Sequence, residues 1–568
     1  MTTSASILLF LVEGIILCLT AYYFYKVLHI PQKSDDYADN GGGESWSSRI
    51  GLVLAMAGNA VGLGNFLRFP VNAIQNGGGA FIVPYLVCFF VMGIPLLYVE
   101  WATGRFGGKP YPDGRDGDHS TPFILQRMGG AGRVWKYVGA LGIFINIAVA
   151  AYYCYVEAWT LSYVWYSITG KFVGQDQQTI SHFFDEYVSL LSPVIVFVSW
   201  IFCVALNAWV LSKGISGGIE KVARWVMPLL LLFGILLAIT GVSLRASGHT
   251  GAVHDGTFGL NFLWEMPSDW SSIWKPKVWL AAAGQVFFTL SVGVGAIQCY
   301  ASFIREREDI ALNAMAAGWM NEFVEVIIGS AIVIPITIGF LGLDKVLILV
   351  KNGGFGLGFR SLPYLFQQWG SVLGAIAGFL WFSLLFFAGI TSSLAMGMPV
   401  IGLLQDKFAW KRRDAAGLFG GIVFVLGLPT ILFFNEGIFD EFDYWAGSVS
   451  LVVFALFEIV LFAWVFGMDK GWEEINEGAD IKVYPIFKYL IKYVTPLFII
   501  AIFVSSVPDW YDKLTNKEIY TQIAAAKDAY TSWKLEQHLK YVNIARGMLL
   551  SVFLAVCWLV RKANLKKV

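Results

Sequence analysis

Residues 58–65 read Gly58-Asn59-Ala60-Val61-Gly62-Leu63-Gly64-Asn65, and residues 288–295 read Phe288-Thr289-Leu290-Ser291-Val292-Gly293-Val294-Gly295. Each stretch lies inside an apolar run of roughly 20 residues, the length that crosses a bilayer as a helix. Glycines and small hydrogen-bonding side chains at that depth weaken a helix where lipid offers the backbone no other partner. One such stretch alone reads equally well as a packing surface, since Gly58 and Gly62 keep the small-xxx-small spacing. Two at corresponding positions point instead to a pair of broken helices around a site near the membrane midplane.

Working outward, about 13 apolar runs are long enough to span, the first near 5–27, the broken pair near 48–70 and 277–303, and the last near 546–561. The chain has 568 residues, 57% of them apolar and 14% charged, against roughly 25% charged in an ordinary globular chain. Lys plus Arg and Asp plus Glu balance at 40 each, so nothing in the charge favours nucleic acid. A soluble enzyme, a DNA binder and a disordered scaffold are excluded. The expected fold class is an all-α polytopic membrane protein with two inverted five-helix repeats. In that scheme residues 1–45 form an extra N-terminal helix and linker, 46–245 the first repeat, 246–467 the second, and 468–568 two C-terminal helices and a tail.

Lys and Arg in short loops set orientation. Arg105, Lys109, Arg115, Arg127 and Arg133, then Lys213, Lys221 and Arg224, then Arg305 and Arg307, then Lys407, Lys411, Arg412 and Arg413 occupy alternate loops. These loops and the C-terminus (Arg561, Lys562, Lys566, Lys567) are expected in the cytoplasm of a cell whose plasma membrane holds the chain. The segment 435–443 carries Glu436, Asp440, Glu441 and Asp443 without Lys or Arg and is expected outside. The first run has its positives, Lys26 and Lys33, after it, which argues for a retained helix with an outside N-terminus rather than a signal peptide. Glu13, costly in lipid, is expected to face protein or water. The six cysteines lack a C-x-x-C spacing and read as buried apolar thiols.

A helix broken at the midplane frees carbonyls that suit a small hard cation and exposes N–H groups that suit a carboxylate. Asn59, Asn65, Thr289, Ser291, Asn321, Thr391 and Ser392 add neutral oxygens, and neither break holds an Asp or Glu. A zwitterion accompanied by Na⁺ fits such a site better than a cationic amine.

Six motifs carry a resemblance: Gly58 to Pro70 (GNAVGLGNFLRFP), Asn76 to Phe81 (NGGGAF), Glu100-Trp101, Gln285 to Ser291 (QVFFTLS), Asn321-Glu322 and Ala388 to Ser393 (AGITSS). They resemble the neurotransmitter:sodium symporter family over about residues 46–562, most closely its bacterial amino-acid carriers, typified by the leucine transporter. The resemblance implies one Na⁺ site from Ala60, Asn65, Thr289 and Asn321 with the substrate carboxylate, and a second from Gly58, Val61, Ala388, Thr391 and Ser392. It implies a substrate site of Asn59, Ala60, Gly62, Leu63, Gly64, Val149, Tyr153, Phe288, Thr289, Ser291, Val294, Ser392 and Met396. Tyr153 and Phe288 would close over the substrate, and Arg68 and Asp443 would form the outer gate. A small-molecule amino acid, surrounding lipid and a homodimer are the implied partners.

Four departures refine the expectation. Gly62 stands where monoamine carriers have Asp, so the substrate brings its own carboxylate. Glu325 stands where chloride-dependent relatives have Ser, implying transport without chloride and allowing proton counter-movement. Val294 replaces a Phe and Met396 an Ile, which makes room for medium or large hydrophobic amino acids, aromatic ones included. At the cytoplasmic gate Trp46 and Asp406 match, but Gly43 replaces an Arg and Phe303 a Tyr. Lys33 or Arg49 would then substitute, or the extra first helix would compensate. Gly218 and Pro228 keep the G-x9-P spacing of the family's fifth helix, which an ordinary helix start and kink also explains.

Gly214 to Gly218 satisfies G-x-S-x-G but follows no strand, so the hydrolase context fails. No nucleotide-binding motif occurs, leaving an ion gradient as the energy source. Two rivals are a transporter-like sensor, which would bind without uptake, and a channel, which would conduct without a coupling ion.

Overall fold

The computed structural model of the protein describes residues 1–31, 44–130, 132, 134–246, 251–267 and 270–565. Lys33, Gly43, Arg133, His249, Lys566 and Lys567 lie outside the described residues. The spans are α1 (Thr3–His29), a bent pair α2 (Arg49–Ala60) and α3 (Leu63–Gln75), α4 (Gly79–Gly108), α5 (Trp135–Ile168), α6 (Pro193–Ser212) and α7 (Ile215–Val242). There follow α8 (Pro276–Thr289) and α9 (Ala296–Ala301), α10 (Ile310–Leu341), α11 (Ser371–Phe408), α12 (Arg412–Leu432), α13 (Ile438–Asn476), α14 (Ile486–Leu514) and α15 (Ala529–Ala563). Among the described residues eleven helices are each long and apolar enough to span, and α2 with α3 does so across a 48° bend. The run expected near 277–303 is two helices of 14 and 6 residues, neither of which spans alone.

Local chemistry explains both breaks. Ser48 caps α2 by accepting the Gly51 N–H at 3.0 Å. The helix stops at Ala60, where Val61 turns to ψ 89 and Gly62 is extended. Asn65 then takes the Gly62 N–H on its Oδ1 at 2.9 Å, so the restart is capped from inside. In the second break Ser291, Gly293 and Gly295 all adopt positive φ, a region glycine enters freely and serine does not. The Ser291 hydroxyl donates to the Asn59 carbonyl at 2.9 Å, which ties one break to the other. The freed Gly293 N–H is met by the buried Glu100 carboxyl of α4 at 2.5 Å.

The long helices α5 and α11 pack along one another beside the breaks. Wide π turns interrupt several spans, including Phe323–Gly329, which carries Glu325, and Trp445–Val449, which carries Gly447; such turns often sit at functional positions. Gly218 lies in a π turn at the start of α7 and Pro228 inside that helix.

The extra helix α1 buries one stripe, Ala5, Leu9, Val12, Ile16, Thr20 and Val27, at the three-to-four spacing of a helix packed on one side. Thr20 donates across to the Trp319 carbonyl of α10 at 2.9 Å. Glu13 is half-buried beside that stripe. The expectation of buried thiols fails at Cys18, which is exposed, and at Cys557, which is partly exposed. Both lie in helices that turn most of their surface outward, and a lipid-facing thiol meets no polar penalty.

Candidate functional site

Two cavities lie in line at the breaks. The inner one, about 50 Å³, is lined by Asn59, Ala60, Gly62, Gly64, Asn65, Val149, Tyr153, Phe288, Ser291, Val294, Ala296, Ser392, Met396, Gly447 and Leu451. No Asp, Glu, Lys, Arg or His is among these residues. The outer one is an open vestibule of about 400 Å³ that includes Leu63, Arg68, Tyr152 and Asp443. Gly64, Tyr153 and Phe288 line both and form the partition. The Arg68 guanidinium lies over the Phe288 ring, 4.6 Å from its centroid, a cation–π placement. Asp443 accepts the Tyr152 hydroxyl at 2.7 Å. Among the described residues no ion pair joins Arg68 to Asp443, so on this side the molecule is open.

Beside the inner cavity the side chains expected at the first Na⁺ site form one buried cluster. Asn65 Nδ2 donates to Thr289 Oγ1 at 3.0 Å and to Asn321 Oδ1 at 2.8 Å. One amide atom of Asn321 lies 3.2 Å from the carbonyl oxygens of both Ala60 and Thr289. As a nitrogen it donates to them; as an oxygen it adds another acceptor to theirs, a crowding of oxygens that a cation neutralises. Thr289, also expected against the substrate, points its hydroxyl into this cluster, bonds to Glu325, and is not among the cavity-lining residues. Gln285 Nε2 gives Glu325 a second donor at 3.1 Å.

Across the cavity, Ser392 Oγ is 3.4 Å from the Gly58 carbonyl, 3.2 Å from that of Asn59 and 3.2 Å from that of Ala388. Thr391 Oγ1 is 3.2 Å from the Ala388 carbonyl. Val61, where α2 ends, has left helical geometry and its carbonyl is released from the i→i+4 ladder. The N–H groups at the start of α3 have no carbonyl one turn back: Asn65 Oδ1 takes that of Gly62, just before the helix, and the Tyr153 hydroxyl accepts that of Leu63 at 3.4 Å. Carbonyl oxygens on one side and helix N–H groups on the other bracket an uncharged cavity.

A profile of the Sodium:neurotransmitter symporter family matches residues 43–184 and 177–562. The chain belongs to that family. An uncharacterized sodium-dependent transporter of Methanocaldococcus jannaschii is 30% identical over 471 residues, 81% of this chain and 89% of that one. A sodium- and chloride-dependent GABA transporter 2 of Rattus norvegicus is 26% identical, covering 84% and 82%. The crystal structure of MhsT in complex with L-phenylalanine superposes with a TM-score of 0.70 at 28% identity, over 82% of this chain and all of that one. The protein is a multi-pass, sodium-dependent symporter, not an enzyme.

The far end of this symporter, opposite the vestibule, is shut. Trp46 donates its indole N–H to the Tyr300 carbonyl at 3.0 Å. Asp406 accepts the backbone N–H of His119 at 2.7 Å. Arg49, one expected substitute at Asp406, is instead bonded to Glu308, because the start of α2 packs against the base of α10. Glu220, which sequence reasoning missed, holds the α2 entrance through the Ser47 N–H at 2.8 Å and hydroxyl at 2.7 Å. Ala296, Gly447 and Leu451 were missed as well; being small or apolar, they carry no chemical signature apart from their place in the fold.

Proposed function

We propose that this symporter imports a neutral, hydrophobic amino acid together with Na⁺ by alternating access and without chloride. The observation that carries the reading is the uncharged cavity set between freed carbonyls and an exposed helix start. A cationic amine would find no counter-carboxylate there, whereas a zwitterion places its carboxylate at the α3 N–H groups and lets Na⁺ neutralise it. Ala60, Asn65, Thr289 and Asn321 would ligate one ion, and Gly58, Val61, Ala388, Thr391 and Ser392 a second. The vestibule face would be extracellular, with Arg68 and Asp443 meeting when it closes. The two five-helix repeats, 46–245 and 246–467, would each contribute one break.

The substrate side chain would lie against Val149, Val294, Met396 and Leu451. A deformable methionine and a valine accept bulk, and the phenylalanine in the MhsT complex supports an aromatic substrate here. Uptake of labelled leucine, methionine, tyrosine and tryptophan into proteoliposomes tests this. Accumulation is expected under an inward Na⁺ gradient, not with K⁺, and undiminished when gluconate replaces chloride. Na⁺-dependent binding without accumulation would overturn transport in favour of a sensor. Val294→Phe narrows the pocket and is expected to lower the tryptophan-to-leucine ratio of kcat/KM at least about tenfold, the scale on which a few methylenes discriminate. An unchanged ratio would remove Val294 from the side-chain pocket.

A further inference from the structure

The seam that closes the far end is built from a loop, and the loop leans unequally on its two neighbours. Residues 117–120 run between the end of α11 and the end of α9. On the α11 side the holds are ionic. His119 gives its backbone N–H to Asp406, and Asp118 is bonded to Lys407. Gly402 makes the approach possible, since a Cβ there would stand 2.4 Å from the His119 carbonyl oxygen. On the α9 side the imidazole ring makes the hold. It lies flat on Phe303, with centroids 4.1 Å apart and planes 9° apart. Its Nδ1 is 2.9 Å from Ser302 Oγ, which itself donates to the Cys299 carbonyl at 2.7 Å.

We propose that His119 is a gating residue of the transport cycle, whose ring parts from Phe303 and Ser302 when the cytoplasmic side opens while its backbone stays on α11. This rests on the alternating-access reading above. Access to the inner cavity from this end must separate α9, which continues from the Ser291–Gly295 break, from α11, which carries Ser392 and Met396. Hydrogen bonds to ionised groups are roughly twice as strong as neutral ones, and a ring stack is weaker still, so the seam yields at the ring. Phe303 stands where the family pattern has Tyr. The stacked imidazole there supplies a contact that a hydroxyl would otherwise make.

A titration accompanies the movement. Burial holds the imidazole down to about 4, although Asp118 and Asp116 of its own loop pull it up and Lys407 of α11 pushes it further down. Asp406 also faces this loop from α11; on the α9 side the ring meets neutral Ser302, whose backbone bond also pulls it up, and Phe303. Once parted and hydrated, the ring returns toward the ordinary value of about 6.5. The open form then binds the proton more readily than the closed one. Closure is fully favoured above about pH 6.5, and opening is promoted as cytoplasmic pH falls from there toward 4.

The test is hydrogen exchange of the segments 44–60 and 296–303 in the full-length protein in nanodiscs, which reads opening whatever the substrate proves to be. His119→Ala is expected to speed exchange there about two- to tenfold at pH 7. Phe303→Ala should do the same, and the double variant should add little, because both delete one contact. His119→Phe restores the stack, so exchange should return close to wild type while its extra rise between pH 7 and 5 disappears. Additive single effects, or a His119→Phe variant as open as His119→Ala, would overturn the proposal. Failure of amino-acid uptake with these exchange results intact would condemn the substrate assignment and leave the gate standing.

Discussion

Replacing Asn65 by Ala is expected to raise the Na⁺ concentration for half-maximal substrate binding about a hundredfold, the equivalent of about 3 kcal/mol. One side chain performs three tasks in a fully buried place. Its Oδ1 takes the Gly62 N–H at the restart of the broken span, and its Nδ2 donates to both Thr289 and Asn321. Truncation leaves that N–H and two acceptors short of partners, each worth about 1–3 kcal/mol when buried. It also removes an oxygen from the proposed cation cluster. The damage is confined to the break, so thermal unfolding in K⁺ should shift by only a few degrees while the stabilisation that Na⁺ confers largely vanishes. Asn65→Asp keeps the oxygen that caps Gly62 and is expected to fall between Ala and wild type. A wild-type Na⁺ dependence in the Ala variant would show that the ion is held elsewhere.

That side chain also marks how far the sequence could be read. The breaks are legible because a glycine-rich stretch that alone reads equally well as a packing surface has a counterpart at the matching position, and the pairing tips the balance toward broken helices. Gly58 to Asn65 supplies five of the fifteen residues that line the cavity, and the family resemblance implied most of the others. The far end was opaque for a physical reason. Asp406 is met by a backbone N–H, which any residue supplies, and the loop that brings it depends on the missing side chain at Gly402. No residue type announces such a contact. Arg49, whose charge made it a sensible substitute, is drawn off by Glu308, a competition decided by how α2 and α10 pack. Thr289 reveals a related limit: its place in a motif shared by the ion and substrate sites says nothing of which way the hydroxyl turns.

The direction of that hydroxyl carries the second large effect. Thr289 donates to Glu325, and Gln285 adds its own donor at 3.1 Å, so two protons converge on a buried carboxyl group. The same threonine borders the proposed cation cluster through Asn65 and Asn321. A carboxylate one hydroxyl away from a monovalent cation contributes on the order of 4 kcal/mol at an effective dielectric of about 20. Glu325→Ser removes the charge but leaves the donors aimed at the emptied space. Uptake in gluconate is expected to fall at least about a hundredfold, and chloride, an anion that two donors and a nearby cation can hold, should restore it. Glu325→Gln fills the same space with a neutral amide and should stay impaired in chloride. Three results would each break the argument: wild-type uptake that already requires chloride, a Ser variant fully active without it, or a Gln variant that chloride rescues.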